Sequence, residues 1–290
     1  MLYKIIHKTT YTYNQLVWLK PHLIRLKPRN DCWQEIKTFN WTIEPLPQRV
    51  SQFIDLDGNN LLKTWFNEAT EELELTFTSE VETLKTNPFD YLLESWAVKF
   101  PIDYPSSLLC QLQPYLQPYM RFFDPLLLEL AQDIALEVDG NTMNFLFTLN
   151  QRIYENFEYI TREVGDCWSA GVTLKKKQGS CRDLTIVFME ACRAMGLAAR
   201  FVSGYQEGDR EQDSRDLHAW AEVYLPGGGW RGYDPTLGLA VCDRHVALVA
   251  SAIPSYAAAV TGQIKPFQQS SNNRKSIESK ITADISIQYL

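Results

Sequence analysis

The sequence predicts an α+β fold, an N-terminal β-sandwich followed by a core in which helices precede strands. Three observations carry this prediction. Residues 1–88 contain short alternating apolar and polar runs separated by turn residues. Residues 89–124 are broken by Pro101, Pro105, Pro114 and Pro118, a density that resists both helix and strand. From Asp124 onward apolar residues recur at helical spacing, then give way to strand patterns. The expected organisation is therefore a β-sandwich domain over 1–88, a connecting segment over 89–124, and an α+β core over 125–290 that ends in a strand.

The elements follow in order. Tyr3 to Tyr13 is rich in β-branched and aromatic residues and predicts a strand ending at Asn14. Phe39–Ile43 and Leu73–Val81 alternate as half-buried strands do, and Asp57-Gly-Asn-Asn between apolar runs predicts a hairpin. The proline-rich segment, with its interspersed Tyr104, Tyr115, Tyr119, Phe122 and Phe123, predicts a packed connection with short helical pieces. Asp124 before Pro125 is an N-cap followed by proline at the first helical position, and the helix should run to about Val138. Phe145, Leu149, Ile153 and Phe157 form the stripe of a second helix beginning near Thr142. A third begins at Cys181, buries Leu184, Val187, Phe188, Ala191, Cys192 and Met195, and stops at Gly196. Strands are predicted over 198–205, 219–225 and 230–233, a polar loop over 268–275, and a final strand over 281–290.

Composition narrows the function classes. A chain of 290 residues with 45% hydrophobic and 22% charged residues can bury a sizeable core. The net charge of −7, with no basic stripe, argues against nucleic-acid binding. The start lacks the pattern of a secretory leader and no apolar run is long enough to span a membrane, so no membrane association and a cytoplasmic location are expected. The six cysteines show neither CxxC pairs nor metal-ligand spacing, so neither a disulfide framework nor a metal site is expected.

The chemistry concentrates in three phrases: Gln-Gly-Ser-Cys-Arg-Asp at 178–183, Leu-His-Ala-Trp-Ala-Glu-Val at 217–223, and Gly-Trp-Arg-Gly-Tyr-Asp-Pro-Thr at 229–236. They supply a thiol at Cys181, an imidazole at His218 and a carboxylate at Asp234, the parts of a nucleophile, its base and the group that orients the base. A helix start at Cys181 offers unpaired N–H groups and partial positive charge, which favour a thiolate and can receive an oxyanion, with Gln178 as a second donor. Asp183 opposes the positive charge of Lys175, Lys176, Lys177 and Arg182 around the thiol. Of the four histidines, His7 and His22 fall in the β region, and His245 is the second choice as base. Gly227-Gly-Gly229 turns the chain, so a strand starting at His218 can lie antiparallel to one ending at Asp234 and make them cross-strand neighbours. The charged loop from Gln206 to Asp216 would form a rim beside His218.

These phrases, with Ala194–Tyr205 between them, resemble the bacterial transglutaminase-like core, and Tyr3–Tyr13, Ile24–Arg29 and Asp57–Asn59 resemble the β domain that often precedes it. The resemblance implies a papain-like fold with Cys181 as nucleophile, His218 as base and Asp234 as orienting acid. It implies no cofactor. Members include transglutaminases, peptide hydrolases and amidases. Where members often continue past the position of His245 with a Gly-Arg-Asp-Tyr-like segment, this chain has Ser251-Ala-Ile-Pro254. The expected function is acyl transfer from a peptide or amide substrate through a thioester on Cys181, ending in hydrolysis. Amine transfer that crosslinks proteins and a non-catalytic binding module are the alternatives.

Overall fold

The computed structural model describes residues 1–162, 165–208, 216–267 and 276–290; most of the charged loop and the whole of the polar loop expected over 268–275 lie outside the described residues. In chain order the N-terminal strands are β1 (Leu2–Leu19), β2 (His22–Ile24), β3 (Gln34–Glu44), β4 (Arg49–Ile54), β5 (Asn60–Trp65) and β6 (Ala69–Thr83). The middle of the chain forms α1 (Ser106–Leu116), α2 (Pro125–Glu137), α3 (Thr142–Asn156), β7 (Glu158–Tyr159), α4 (Ala170–Lys176), β8 (Gln178–Gly179) and α5 (Cys181–Ala194). Then come β9 (Ala199–Gln206), β10 (His218–Leu225), β11 (Gly229–Asp234), β12 (Leu239–Ala240), β13 (His245–Ser251), β14 (Val260–Thr261), β15 (Ile264–Pro266) and β16 (Ser279–Tyr289).

The strand-rich N-terminal region is present, but it is not a plain sandwich closed within 1–88. One sheet runs β15-β1-β6-β3 with β16 also on β1, and the other runs β14-β2-β5-β4. Each thus takes strands from the end of the chain. The final strand, expected within the core segment, pairs with β1 from Tyr3–Tyr289 to Tyr13–Ser279. Its alternation fits a strand laid on an existing sheet, with Ile285 turned inward. Asn14, expected to end β1, instead lies in a register irregularity between Thr12 and Val17 and bonds the backbone at Ser276 and Glu278. The 57–60 turn is a hairpin as expected: Asp55 Oδ1 accepts from the N–H groups of Asp57 and Asn59, and Gly58 takes a positive φ of 79°.

The core sheet runs β12-β11-β10-β9-β13, with every pair antiparallel. Helix α5 packs on β10 and β9, with α2, α3 and α4 around it. Asp124 caps α2 by accepting from Leu126 N–H, and Asn141 caps α3 by accepting from Asn144 N–H. Phe145, Leu149 and Ile153 are buried as predicted, and Ile186, Val187, Phe188 and Ala191 carry α5 into the centre of the molecule. Among the described residues no helix is long and apolar enough to cross a membrane.

Strand β13 ends the core sheet, and the N-terminal region covers its open edge with side chains. Gln34 Nε2 donates to Ala247 O at 2.9 Å while its Oε1 accepts from Ala247 N–H at 2.7 Å. Asn59 does the same at Ala250, with both bonds 2.8 Å. Each amide imitates a peptide unit of a neighbouring strand and satisfies an edge that would otherwise be open. Replacing Asn59 by alanine is expected to cost about 1–3 kcal/mol, because a buried donor and acceptor on β13 are both left unpaired, and Gln34→Ala less, because Ala247 O keeps its bond from Arg29 N–H. Urea unfolding should show lower midpoints with an unchanged slope.

Candidate functional site

Cys181 is the first residue of α5, and the turn that presents it is heavily braced. The Asp183 carboxylate accepts from the backbone N–H of Ser180 at 2.9 Å and from its hydroxyl at 2.8 Å. It also accepts from Trp168 N–H at 2.7 Å and from Arg162 Nη1 at 2.6 and 2.7 Å. Burial pushes this carboxyl up, but the Arg162 guanidinium and the N–H and O–H donors hold it below the usual range. Gly179 is required here, since a Cβ would stand 2.9 Å from that of Asp183. Beyond the opposing charge expected of it, Asp183 pairs with Arg162 and braces the turn before the thiol. Among the lysines, Lys176 lies over Trp168 and Lys177 over Phe157. Gln178 sits in β8, paired with Glu158, one turn before the thiol.

His218 opens β10 and Asp234 closes β11, as the hairpin argument requires. The register pairs Ala221 with Tyr233, so Asp234 stands opposite Trp220 rather than His218. The contact is diagonal: His218 Nε2 reaches Asp234 Oδ2 at 2.6 Å. With Nε2 engaged, Nδ1 is the nitrogen left to face Cys181, whose thiol contributes to the electrostatics of the ring. Burial lowers the imidazole's affinity for a proton, but the charge and hydrogen bond of Asp234, with Cys181 adding to them, raise its pKa to about 10. Burial likewise pushes Asp234 up, and the two imidazoles on its Oδ2 hold it far below the usual carboxylate range. The structure thus brings Cys181, His218 and Asp234 together, with the imidazole's affinity for a proton raised.

His245, the second choice as base, also reaches Asp234. Its Nε2 lies 3.0 Å from the same Oδ2, while Asp234 Oδ1 accepts from Thr236 N–H at 3.0 Å. The atoms of His218, Asp234 and His245 lie within 4.8 Å of one another, as metal ligands would. The 2.6 Å contact, however, is a charge-assisted hydrogen bond. Two ligand atoms on a tetrahedral zinc with bonds of about 2.0–2.1 Å stand roughly 3.3 Å apart. The set is spaced for protons.

Two residues act in this arrangement in roles that the sequence did not assign them. Asp183 had a legible signal, since Ser180-Cys-Arg-Asp183 has the spacing of a capping box. His245 had none, because its approach depends on β13 pairing with β9, a contact between His245 and Gln206 that skips the β10–β11 hairpin. His7 and His22 stay in the strand-rich region: His7 is buried between Tyr205 and Thr9, which pulls its pKa down to about 4. All six cysteines are free, and Cys192 is wholly buried on the inner face of α5.

Comparison with known proteins agrees with this architecture. Residues 3–82 match the bacterial transglutaminase-like N-terminal region and residues 129–235 match the transglutaminase-like superfamily. An uncharacterised protein of Mycobacterium tuberculosis is 27% identical over 265 residues, covering 85% of this chain and 82% of its own. One from Mycobacterium leprae is 23% identical over 254 residues, covering 84% of this chain and 86% of its own. A solved structure from Cytophaga hutchinsonii, described as a candidate cysteine protease, superposes with a TM-score of 0.75 at 21% identity, over 100% of this chain and 91% of that one. That likeness shows the fold, a strand-rich N-terminal region on a papain-like core. With both regions matched in order along its length, the chain belongs to the bacterial transglutaminase-like family.

Proposed function

We propose that the protein is a cysteine-dependent acyl-transfer enzyme acting on peptide or amide bonds, with Cys181 as nucleophile, His218 as acid and base, and Asp234 as the group that orients His218. Superfamily membership supports a cysteine enzyme in general. The observation that carries the finer reading is His218, bonded through Nε2 to a buried carboxylate and in contact with the thiol at a helix start. The Cys181 thiolate attacks the carbonyl carbon, and His218 gives its proton to the leaving amine as the C–N bond breaks. A thioester remains. Water, deprotonated by His218, then attacks it and restores the thiol. Gln178 and the N–H groups opening α5 are the candidates for holding the oxyanion.

Hydrolysis is the favoured outcome because His218 keeps part of its ring in contact with solvent, so water can reach the thioester. Intact-mass measurement after mixing the protein with a peptide-amide library, with and without a primary amine, tests this. The expected result is a transient acyl adduct on Cys181 and free acid products in both conditions. Amine-capped products predominating when amine is present would instead assign crosslinking. No adduct and no product would favour a binding module.

A further inference from the structure

We propose that His245 is a positioning residue for the His218–Asp234 pair: it donates to the oxygen that His218 uses, and the N-terminal region holds the strand that delivers it. This rests on the acyl-transfer reading above. Asp234 has three donors, and each fixes it differently. Thr236 N–H holds Oδ1, while His218 and His245 approach Oδ2 from two sides, which leaves the carboxylate no freedom to turn away from His218.

His245 is itself held from every direction. Its ring packs edge-on against Trp220 with centroids 5.2 Å apart, and its backbone N–H donates to Cys242 O at 3.1 Å. The strand beneath it is gripped at Ala247 and Ala250 by the amides of Gln34 and Asn59. Arg29 N–H adds a bond to Ala247 O at 2.9 Å. Three residues of the N-terminal region therefore set where β13 lies, and β13 sets where His245 meets Asp234.

The back of the ring has its own surroundings. His245 and Trp220 line a cavity of about 40 Å³ between the core sheet and the N-terminal region. His245 Nδ1 and Trp220 Nε1 are buried and without partners among the described residues. One acceptor and one donor suit a water-sized molecule, and a donor to Nδ1 keeps the His245 proton on Nε2, the tautomer that can donate to Asp234. The titratable groups facing His245 are Asp234, His218 and Glu222 from the sheet, Cys242 from the approach to β13, and Asp31 and Lys85 from the N-terminal region.

Without His245 the Asp234 carboxylate is free to turn away from His218, and the imidazolium is then held less tightly. The experiment is the pH–rate profile of Cys181 alkylation by iodoacetamide in the full-length protein. With His245→Leu the basic limb should move down by about half to one pH unit, part of the roughly one to two units that a whole charged hydrogen bond is worth. With His245→Gln, whose amide N–H can donate to the same oxygen, it should follow the wild type. Should His245→Leu fail to fold, His245→Asn, with a shorter amide that falls short of Asp234, carries the same expectation. A basic limb that stays in place or moves up while the melting temperature falls would make His245 purely structural and overturn the proposal. Absence of any fast-reacting thiol in the wild type would be a different failure, overturning the acyl-transfer reading and this proposal with it.

Discussion

Replacing Cys181 by alanine is expected to remove the fast phase of iodoacetamide labelling and to lower substrate turnover by on the order of 10⁴–10⁶, the loss seen when a triad nucleophile is removed. The labelling is interpretable because the six thiols differ so much in setting. Cys32 and Cys110 are exposed and Cys192 is buried against the core, where burial pushes its thiol well up. Cys167 is pushed up to about 11, chiefly by burial. Cys181 lies against an imidazole whose pKa is raised to about 10. The thiolate is the reactive form, so one thiol should react fast near neutral pH while the exposed ones react slowly. Cys181→Ser is expected to be as inactive as alanine, since an imidazole that stabilises a thiolate does not ionise a hydroxyl to a useful degree. Cys192→Ala should leave the fast phase intact and cost stability through the cavity it opens. A fast phase that survives in Cys181→Ala would place the activated thiol elsewhere.

The local parts of this site were legible in the sequence, and the non-local parts were not. The helix start at Cys181 follows from Gly179-Ser180 and the apolar stripe behind it, both contained within α5 and its approach. The His218–Asp234 hairpin follows from Gly227-Gly-Gly229 between two strand patterns. Direct opposition did not follow. The turn occupies Pro226–Gly228 and Leu225 pairs with Gly229, which slides Asp234 to the diagonal position. Alternation also found β16 but not its partner, because a strand's pattern says which face is buried and nothing about which strand lies beside it. The hold of Gln34 and Asn59 on β13 was hidden for the same reason. Glutamine and asparagine read as surface or turn residues, yet both are buried and act as substitutes for an edge strand. Helix α4 went unpredicted because Ala170–Lys176 is too short to show a periodic stripe.

Asp234→Ala is expected to lower turnover about as severely as loss of the thiol, while Asp234→Asn separates the two things the carboxylate does. Alanine leaves the buried His245 and the half-buried His218 without their acceptor, and breaking a buried pair costs about 3–5 kcal/mol. Asparagine keeps an oxygen for His218 and His245 and so keeps orientation, but it removes the charge that raises His218. The imidazolium should then be lost at a pH well below 10, and the basic limb of Cys181 alkylation should move down. Stability carries a matching signature. His218 has a pKa raised from 6.5 to about 10, so its contribution is complete below 6.5 and disappears as pH rises to about 10. Asp234 is depressed below 3.8, so its contribution is complete above that value and disappears as pH falls beneath it. The two conditions overlap between 3.8 and 6.5. The stability difference between wild type and Asp234→Asn should therefore be greatest near pH 5 and shrink steadily toward pH 10 in urea unfolding. A difference that does not change with pH would mean that Asp234 orients His218 without charging it, and the ion-pair mechanism for activating Cys181 would have to be abandoned.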